Sequence, residues 1–211
     1  MSISRRRYEY YAFLLGKPSF SLLEIGCGTA SLAQGFISAG VSYHGIDIDN
    51  RAIHQATAKG IKNVRNTDFF DIPLEEKYDV ICASQVLEHI LSPVVFVQKV
   101  YCHLINNGIF HIDLPNADSL AGHLNNLLRI NQNRYGEVIY PHHLLSYHAK
   151  TVDVLLNKFF SKYYIFFCAP HDNTWGGELQ FPSFIHRILY RISGLISRHS
   201  FIVSISQKKN E

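Results

Sequence analysis

Several stretches of this chain carry residues whose types and order suit chemistry on a small polar ligand. The first is Glu24-Ile25-Gly26-Cys27-Gly28-Thr29-Ala30, where an apolar run stops at two closely spaced glycines. Glycine lets a backbone turn sharply and lets a ligand come close to it. A carboxylate at Glu24, two positions before the first glycine, would repel a pyrophosphate and attract an ammonium group. The nicotinamide fingerprint G-x-G-x-x-G would also need glycine where Ser31 stands. Two acids, Asp47 and Asp68, close later apolar runs, and Glu88-His89 follows another. His143 comes further on. An imidazole titrates near neutral pH, so His89 and His143 are candidates for acid–base work or substrate contact.

These residues need a frame, and the apolar pattern supplies one. Ser21–Ile25, Val41–Asp47, Ile61–Asn66, Tyr78–Ala83 and Ile109–Leu114 read as strands. Helices are predicted between them. One spans Ser31–Ala39 and stops at Gly40, and another runs from a cap at Asn50 to Lys59. A third opens with Ser92 as cap and Pro93 as first residue, and ends at Asn107-Gly108. Its apolar face is read as Val94, Val97, Tyr101 and Leu104. Strand and helix alternating at this rhythm imply a parallel sheet with helices on both faces. Right-handed crossovers then bring every strand's C-terminal end to one edge, where ligands bind. After Pro115 the rhythm breaks. A helix over Thr151–Phe160 and strands over Lys162–Cys168 and Phe201–Ser206 are interrupted by two long segments, 116–141 and 170–200. Both leave the ligand edge and are expected to form a lid. Residues 1–20 are expected to give a cap helix over Arg5–Leu15, basic and then aromatic, closing on the site.

The glycine turn resembles the first motif of the class I S-adenosylmethionine-dependent methyltransferases, an acid followed by alternate glycines. Glu24, Gly26 and Gly28 match it, with Cys27 between them, and Ala30 replaces the third glycine. The resemblance is clear over residues 21–115 and looser beyond. It implies a single doubly wound, Rossmann-like α/β domain over 1–211. Its seven-stranded sheet would be mostly parallel with an antiparallel last strand. It further implies that Asp47 takes both ribose hydroxyls and that Ile48 packs on the adenine. Asp68 would read the exocyclic amine and the Phe69 backbone a ring nitrogen, while Ser84 marks the methionine end.

Leu87-Glu88-His89 resembles a signature of small-molecule methyltransferases, including the ubiquinone-pathway O-methyltransferase type. That likeness puts Glu88 and His89 beside the transferring methyl. His143 is similar to a family histidine that precedes the helix after the fifth strand, and matches it better than His142 does. The implied reaction is methyl transfer from S-adenosylmethionine to a small-molecule acceptor, a hydroxyl oxygen before nitrogen or carbon, releasing S-adenosylhomocysteine. Small-RNA 2′-O-methyltransferases of this fold hold a divalent cation with Glu-x-x-Glu-His and a distant histidine. Gln85 stands at the first of those positions here, an amide where a carboxylate would be. No metal is therefore expected.

Composition bounds the alternatives. With 47% hydrophobic and 18% charged residues, the chain can bury a core and is not a disordered one. A net charge of +3 gives no electrostatic footprint for nucleic acid. Cys27, Cys82, Cys102 and Cys168 form no CxxC pair, so neither a structural zinc nor a disulfide scaffold is expected, and a reducing cytoplasm is the default. No apolar run is long enough to span a bilayer, and the basic start Arg5-Arg6-Arg7 lacks a secretory apolar region behind it. The basic, apolar-striped stretch 181–198 could touch a membrane, but such stripes more often pack on their own protein. The rival functional class is a binding module that keeps the cofactor without transferring its methyl, with Ala30 and Gln85 as its support.

Overall fold

The computed structural model describes residues 2–119, 127, 134–135, 138–139, 143–168 and 201–209. The first helix, α1 (Ile3–Leu15), starts where the Ser2 hydroxyl accepts from the Arg5 N–H, and stops at Gly16 in the left-handed conformation. Then come β1 (Ser21–Ile25), α2 (Ala33–Ser38), β2 (Ser42–Asp47), α3 (Asn50–Ala58), β3 (Val64–Asn66) and β4 (Tyr78–Ser84). Next are α4 (Pro93–His103) and β5 (Leu104–Pro115), followed by the two-residue strands β6 (Arg134–Tyr135) and β7 (Val138–Ile139), which pair as a hairpin. A further helix, α5 (Ala149–Leu156), precedes β8 (Lys162–Cys168) and β9 (Phe201–Gln207).

The main sheet has seven strands in the order β3-β2-β1-β4-β5-β9-β8. Pairings through β5 are parallel, and β9 runs antiparallel to both β5 and β8, as the resemblance implied. The strand order reverses between β1 and β4, so the ends of those two strands flank the crevice where such sheets bind ligands. Alternation along each strand splits the core. Leu23, Ile25, Ile81, Phe110 and Ile112 pack with α4 and α5. Leu22, Val80 and Ile109 pack on the other face with Tyr11, Ala33 and Phe36. The aromatic side of α1 belongs to this second layer, where Tyr11 stacks on Phe36 and Tyr8 on Phe20.

Some boundaries differ from the sequence expectation. The helix over 93–107 ends at His103, and β5 takes over at Leu104. Tyr78 pairs with Leu104 but Val80 pairs with Ile109, so Asn107-Gly108 sits in a bulge, with Asn107 at φ +62°. An Asn-Gly pair signals a left-handed residue, which both a helix end and a bulge can use. The buried face of α4 is Phe96, Val97, Val100 and His103, while Val94 stays partly exposed. Ser92 makes no side-chain cap bond there, and α3 is capped by Asp49 rather than Asn50. Most of 116–141, and all of 170–200 with the basic stretch 181–198, lie outside the described residues. Among the described residues no helix is long and apolar enough to cross a membrane.

Candidate active site

A cleft of about 320 Å³ opens at the ends of β1, β2 and β4, a size within the range of small-molecule sites. Gly26, Asp47, Ile48, Asp68, Phe69, Gln85 and His89 line it, together with Thr67, Phe70, Val86, Ile90 and Phe96, which the sequence did not single out. The floor is the glycine turn. Gly26 has φ +68°, and a Cβ there would lie 2.6 Å from Val86 Cγ2. The backbone can therefore run close under the cleft only because position 26 has no side chain. Two non-glycine residues by the cleft are strained. Ala30 sits at φ +52° and Gln85, across the cleft, at φ +55°, conformations that L side chains rarely adopt.

Asp47 is fixed by two backbone donors. Its Oδ2 accepts from the Gly28 N–H at 2.8 Å and its Oδ1 from the Asp49 N–H at 2.8 Å. Each oxygen keeps a further lone pair, so the carboxylate can accept from two adjacent hydroxyls. Ile48 beside it is 76% exposed, an apolar surface offered to a flat ring. Across the cleft, Asp68 caps a short 3-10 turn (Phe69–Asp71) by accepting from the Phe70 N–H at 2.8 Å. The Phe69 ring is buried against Phe96, with ring centroids 5.2 Å apart.

Behind the glycine turn lies a buried polar cluster that the sequence did not reveal. Arg7, on α1, donates to Ser84 Oγ at 3.0 Å and to Cys82 Sγ at 3.4 Å, and forms an ion pair with Asp113 at 2.9 Å. Glu24 is buried in the same layer and accepts from the Tyr43 hydroxyl at 2.5 Å. Burial raises its carboxyl to about 7 against the pull of Tyr43 and Arg7. Gln85 closes the cluster by donating to the Asp113 carbonyl and carboxylate at 3.2 and 3.1 Å. Neither Glu24 nor Ser84 lines the cleft, and Cys27 directs its thiol to the Gly28 carbonyl. No signal short of the fold could have found Arg7, because its partners come from β4 and β5.

The third feature is at the mouth. Glu88 is 1% exposed, and neither carboxylate oxygen meets a hydrogen-bond partner among the described residues. Burial raises its pKa to about 7. Its backbone carbonyl accepts from the Leu144 and Leu145 N–H groups at 2.9 and 3.0 Å, and this clamp brings His143 to the site. The His143 and His89 rings meet edge to face, 5.1 Å apart. One ligand-capable atom from each of Glu88, His89 and His143 lies within 4.8 Å of the others. The three predicted catalytic residues are thus brought together from distant segments. Gln85 is turned away toward β5, and His142 lies outside the described residues.

This sheet order, with a glycine turn after β1 and acids closing β2 and following β3, is that of the class I S-adenosylmethionine-dependent methyltransferases. A model of the methyltransferase-domain family matches residues 4–159, and the chain belongs to that family. It is similar to the ubiquinone biosynthesis O-methyltransferase of Paraburkholderia phytofirmans, 30% identical over 97 residues, which are 43% of this chain and 40% of that protein. The enzyme of the same name from Bordetella parapertussis is 29% identical over 84 residues, covering 36% and 35% of the two chains. The match thus spans about two fifths of these relatives or less. Among solved structures the fold is shared with the plantazolicin methyltransferase BpumL in complex with S-adenosylhomocysteine, at TM-score 0.70 and 21% identity over 98% of this chain and 82% of that one. A SAM-dependent methyltransferase from Archaeoglobus fulgidus gives 0.67 and 20%, covering 98% and 93%.

Proposed function

We propose that this domain transfers the methyl group of S-adenosylmethionine to a hydroxyl oxygen of a small-molecule acceptor. The observation that supports this best is Asp47, held by two backbone N–H groups beside a glycine-floored cleft, with lone pairs left for a ribose diol. Ile48 packs on the adenine, Asp68 and the Phe69 backbone read its edge, and Gly26, Cys27 and Gly28 supply close backbone. Glu24 and Ser84 lie behind the glycine turn with the Arg7 cluster and, in this reading, support the methionine end from outside the cleft lining. S-adenosylmethionine brings a methyl already activated by its positive sulfur, so the protein's work is positioning and water exclusion.

The acceptor hydroxyl enters at the mouth beside His89. As the oxygen attacks in line, the sulfur–methyl bond breaks and its electron pair stays on sulfur. The hydroxyl proton passes to His143 Nδ1 or Nε2, and the neighbouring Glu88 carboxylate steadies the resulting imidazolium. His89 orients His143 or the acceptor. Segments 116–141 and 170–200 shape the acceptor pocket in this reading, and a soluble cytoplasmic setting without nucleic acid fits it. The ubiquinone biosynthesis relatives favour oxygen as the acceptor atom.

A second reading, metal-assisted transfer, is favoured by one observation: two imidazoles converge with a buried carboxylate that meets no hydrogen-bond partner among the described residues. These three groups fit a divalent cation, which would lower the pKa of a bound acceptor hydroxyl. One experiment tests both readings. Candidate alcohols and phenols are screened for S-adenosylhomocysteine release, and His143→Ala is compared with the parent, with and without chelator. A loss of about 10²–10⁴-fold in turnover, unaffected by chelator, fits a general base. Loss on chelation, restored by added magnesium or zinc, fits the metal. Parent-rate turnover in His143→Ala with chelator present refutes both roles.

A further inference from the structure

The turn that closes the adenine side of the cleft is bonded from behind by a lysine. Lys99, on α4, donates to the Phe70 carbonyl at 2.8 Å and to the Ile72 carbonyl at 2.9 Å, spanning the 3-10 turn that follows Asp68. Its ammonium also lies 5.8 Å from the centre of the Phe69 ring. Lys99 thus grips the turn whose other side presents Asp68, Phe69 and Phe70 to the cleft. Its neighbours on α4 act on the same loop. Phe96 packs edge-on against Phe69 and Phe70, and the His103 ring, tilted against Phe69, bonds the Glu76 carbonyl at 2.7 Å.

The aromatic contacts between Phe96 and the turn are apolar and give its backbone no hydrogen bond. Lys99 adds side-chain bonds to two carbonyls at the end of the turn, Phe70 and Ile72, and a charged donor makes these bonds stronger than neutral ones. The rotation of the turn, and with it the aim of the Asp68 carboxylate and the Phe69 N–H, follows from where those carbonyls are held. We propose that Lys99 is a positioning residue for purine recognition. It touches no ligand, yet it sets the geometry by which this cleft prefers an adenine, with its exocyclic amine, over a hypoxanthine.

The inference rests on the cofactor reading above, and its test separates the two. The full chain is titrated by calorimetry with S-adenosylhomocysteine and with its inosine analogue, which carries an oxygen in place of the exocyclic amine. Lys99→Met keeps the length and the apolar stem, and Lys99→Arg keeps the charge and donors. In Lys99→Met, affinity for S-adenosylhomocysteine should fall about tenfold, the scale of one charge-assisted hydrogen bond. Affinity for the inosine analogue should change little, so that the preference collapses, and Lys99→Arg should restore it to within about threefold. Unchanged affinity and preference in Lys99→Met would overturn the proposal. Equal losses for both ligands with a lowered melting temperature would also overturn it, because that is what mere structural support produces. A wild type that binds neither compound overturns the cofactor reading itself, and this inference with it.

Discussion

Replacing Gly26 by alanine should damage this domain far more than the same change at Gly28, although both glycines have positive φ. Gly26 is at +68° and Gly28 at +54°. Each alanine would occupy a left-handed conformation, at a cost of about 1–2 kcal/mol. A stiffer unfolded chain gives back about 0.4–1 kcal/mol of that. At Gly28 nothing lies within 4 Å of the new methyl, so the net loss should stay near ~1 kcal/mol. At Gly26 the methyl would stand 2.6 Å from Val86 Cγ2. Valine is stiff at χ1 and cannot swing away freely, and Val86 follows Gln85, itself held at φ +55°. Overpacking adds about 1–3 kcal/mol, giving a total of roughly 2–4 kcal/mol. Ala30 at φ +52° shows that this turn accepts a methyl in such a conformation where space allows. Urea denaturation gives the stabilities, and S-adenosylhomocysteine titration gives the effect on the cleft. Adding Val86→Ala to Gly26→Ala should recover part of the loss. Equal losses at the two glycines, within about 0.5 kcal/mol, or no recovery by Val86→Ala, would refute the steric reasoning.

Other outcomes follow from the buried charges. Glu88 has its pKa raised to about 7 by burial, so the folded state holds its proton more tightly than the unfolded one. Stability is therefore lost as pH rises from about 4.5 to 7, and Glu88→Gln should stabilise the protein at pH 8, by up to roughly 3 kcal/mol, but not at pH 4, while lowering turnover. Melting curves at the two pH values check this, and an equal shift at both would contradict it. Arg7→Met should cost about 3–5 kcal/mol in urea denaturation, because it strands the buried Asp113 carboxylate. The double variant Arg7→Met/Asp113→Leu should be less destabilised than Arg7→Met alone, and a larger loss in the double variant would count against the pair.

The glycine turn and the acids around the cleft were legible because a turn after a buried strand needs residue types that little else uses. Glu24, Gly26, Gly28, Asp47 and Asp68 announce themselves in order along the chain. What stayed hidden depends on tertiary contact. Arg7 reads as one basic residue among three until α1 packs across β4 and β5. Lys99 has no role in the sequence pattern and gains one only where the turn after Asp68 folds back onto α4. His143 was legible as a partner of Glu88 and His89, but its anchor was not, since the Glu88 carbonyl that holds its segment is a backbone atom with no sequence signature. The bulge in β5 was misread for a different reason. A left-handed Asn-Gly pair marks helix ends and bulges alike, and the choice is made by the pairing of Leu104 with Tyr78.

A calorimetric titration of the full chain with S-adenosylhomocysteine, alongside NAD and the Asp47→Ala variant, bears most directly on the cleft as a methyl-donor site. S-adenosylhomocysteine should bind the wild type and NAD should not. Asp47→Ala should weaken binding by about 1.5–3 kcal/mol, roughly 10- to 150-fold, the scale of hydrogen bonds to a charged group. Binding of NAD in preference to S-adenosylhomocysteine, or undiminished affinity in Asp47→Ala, would contradict it.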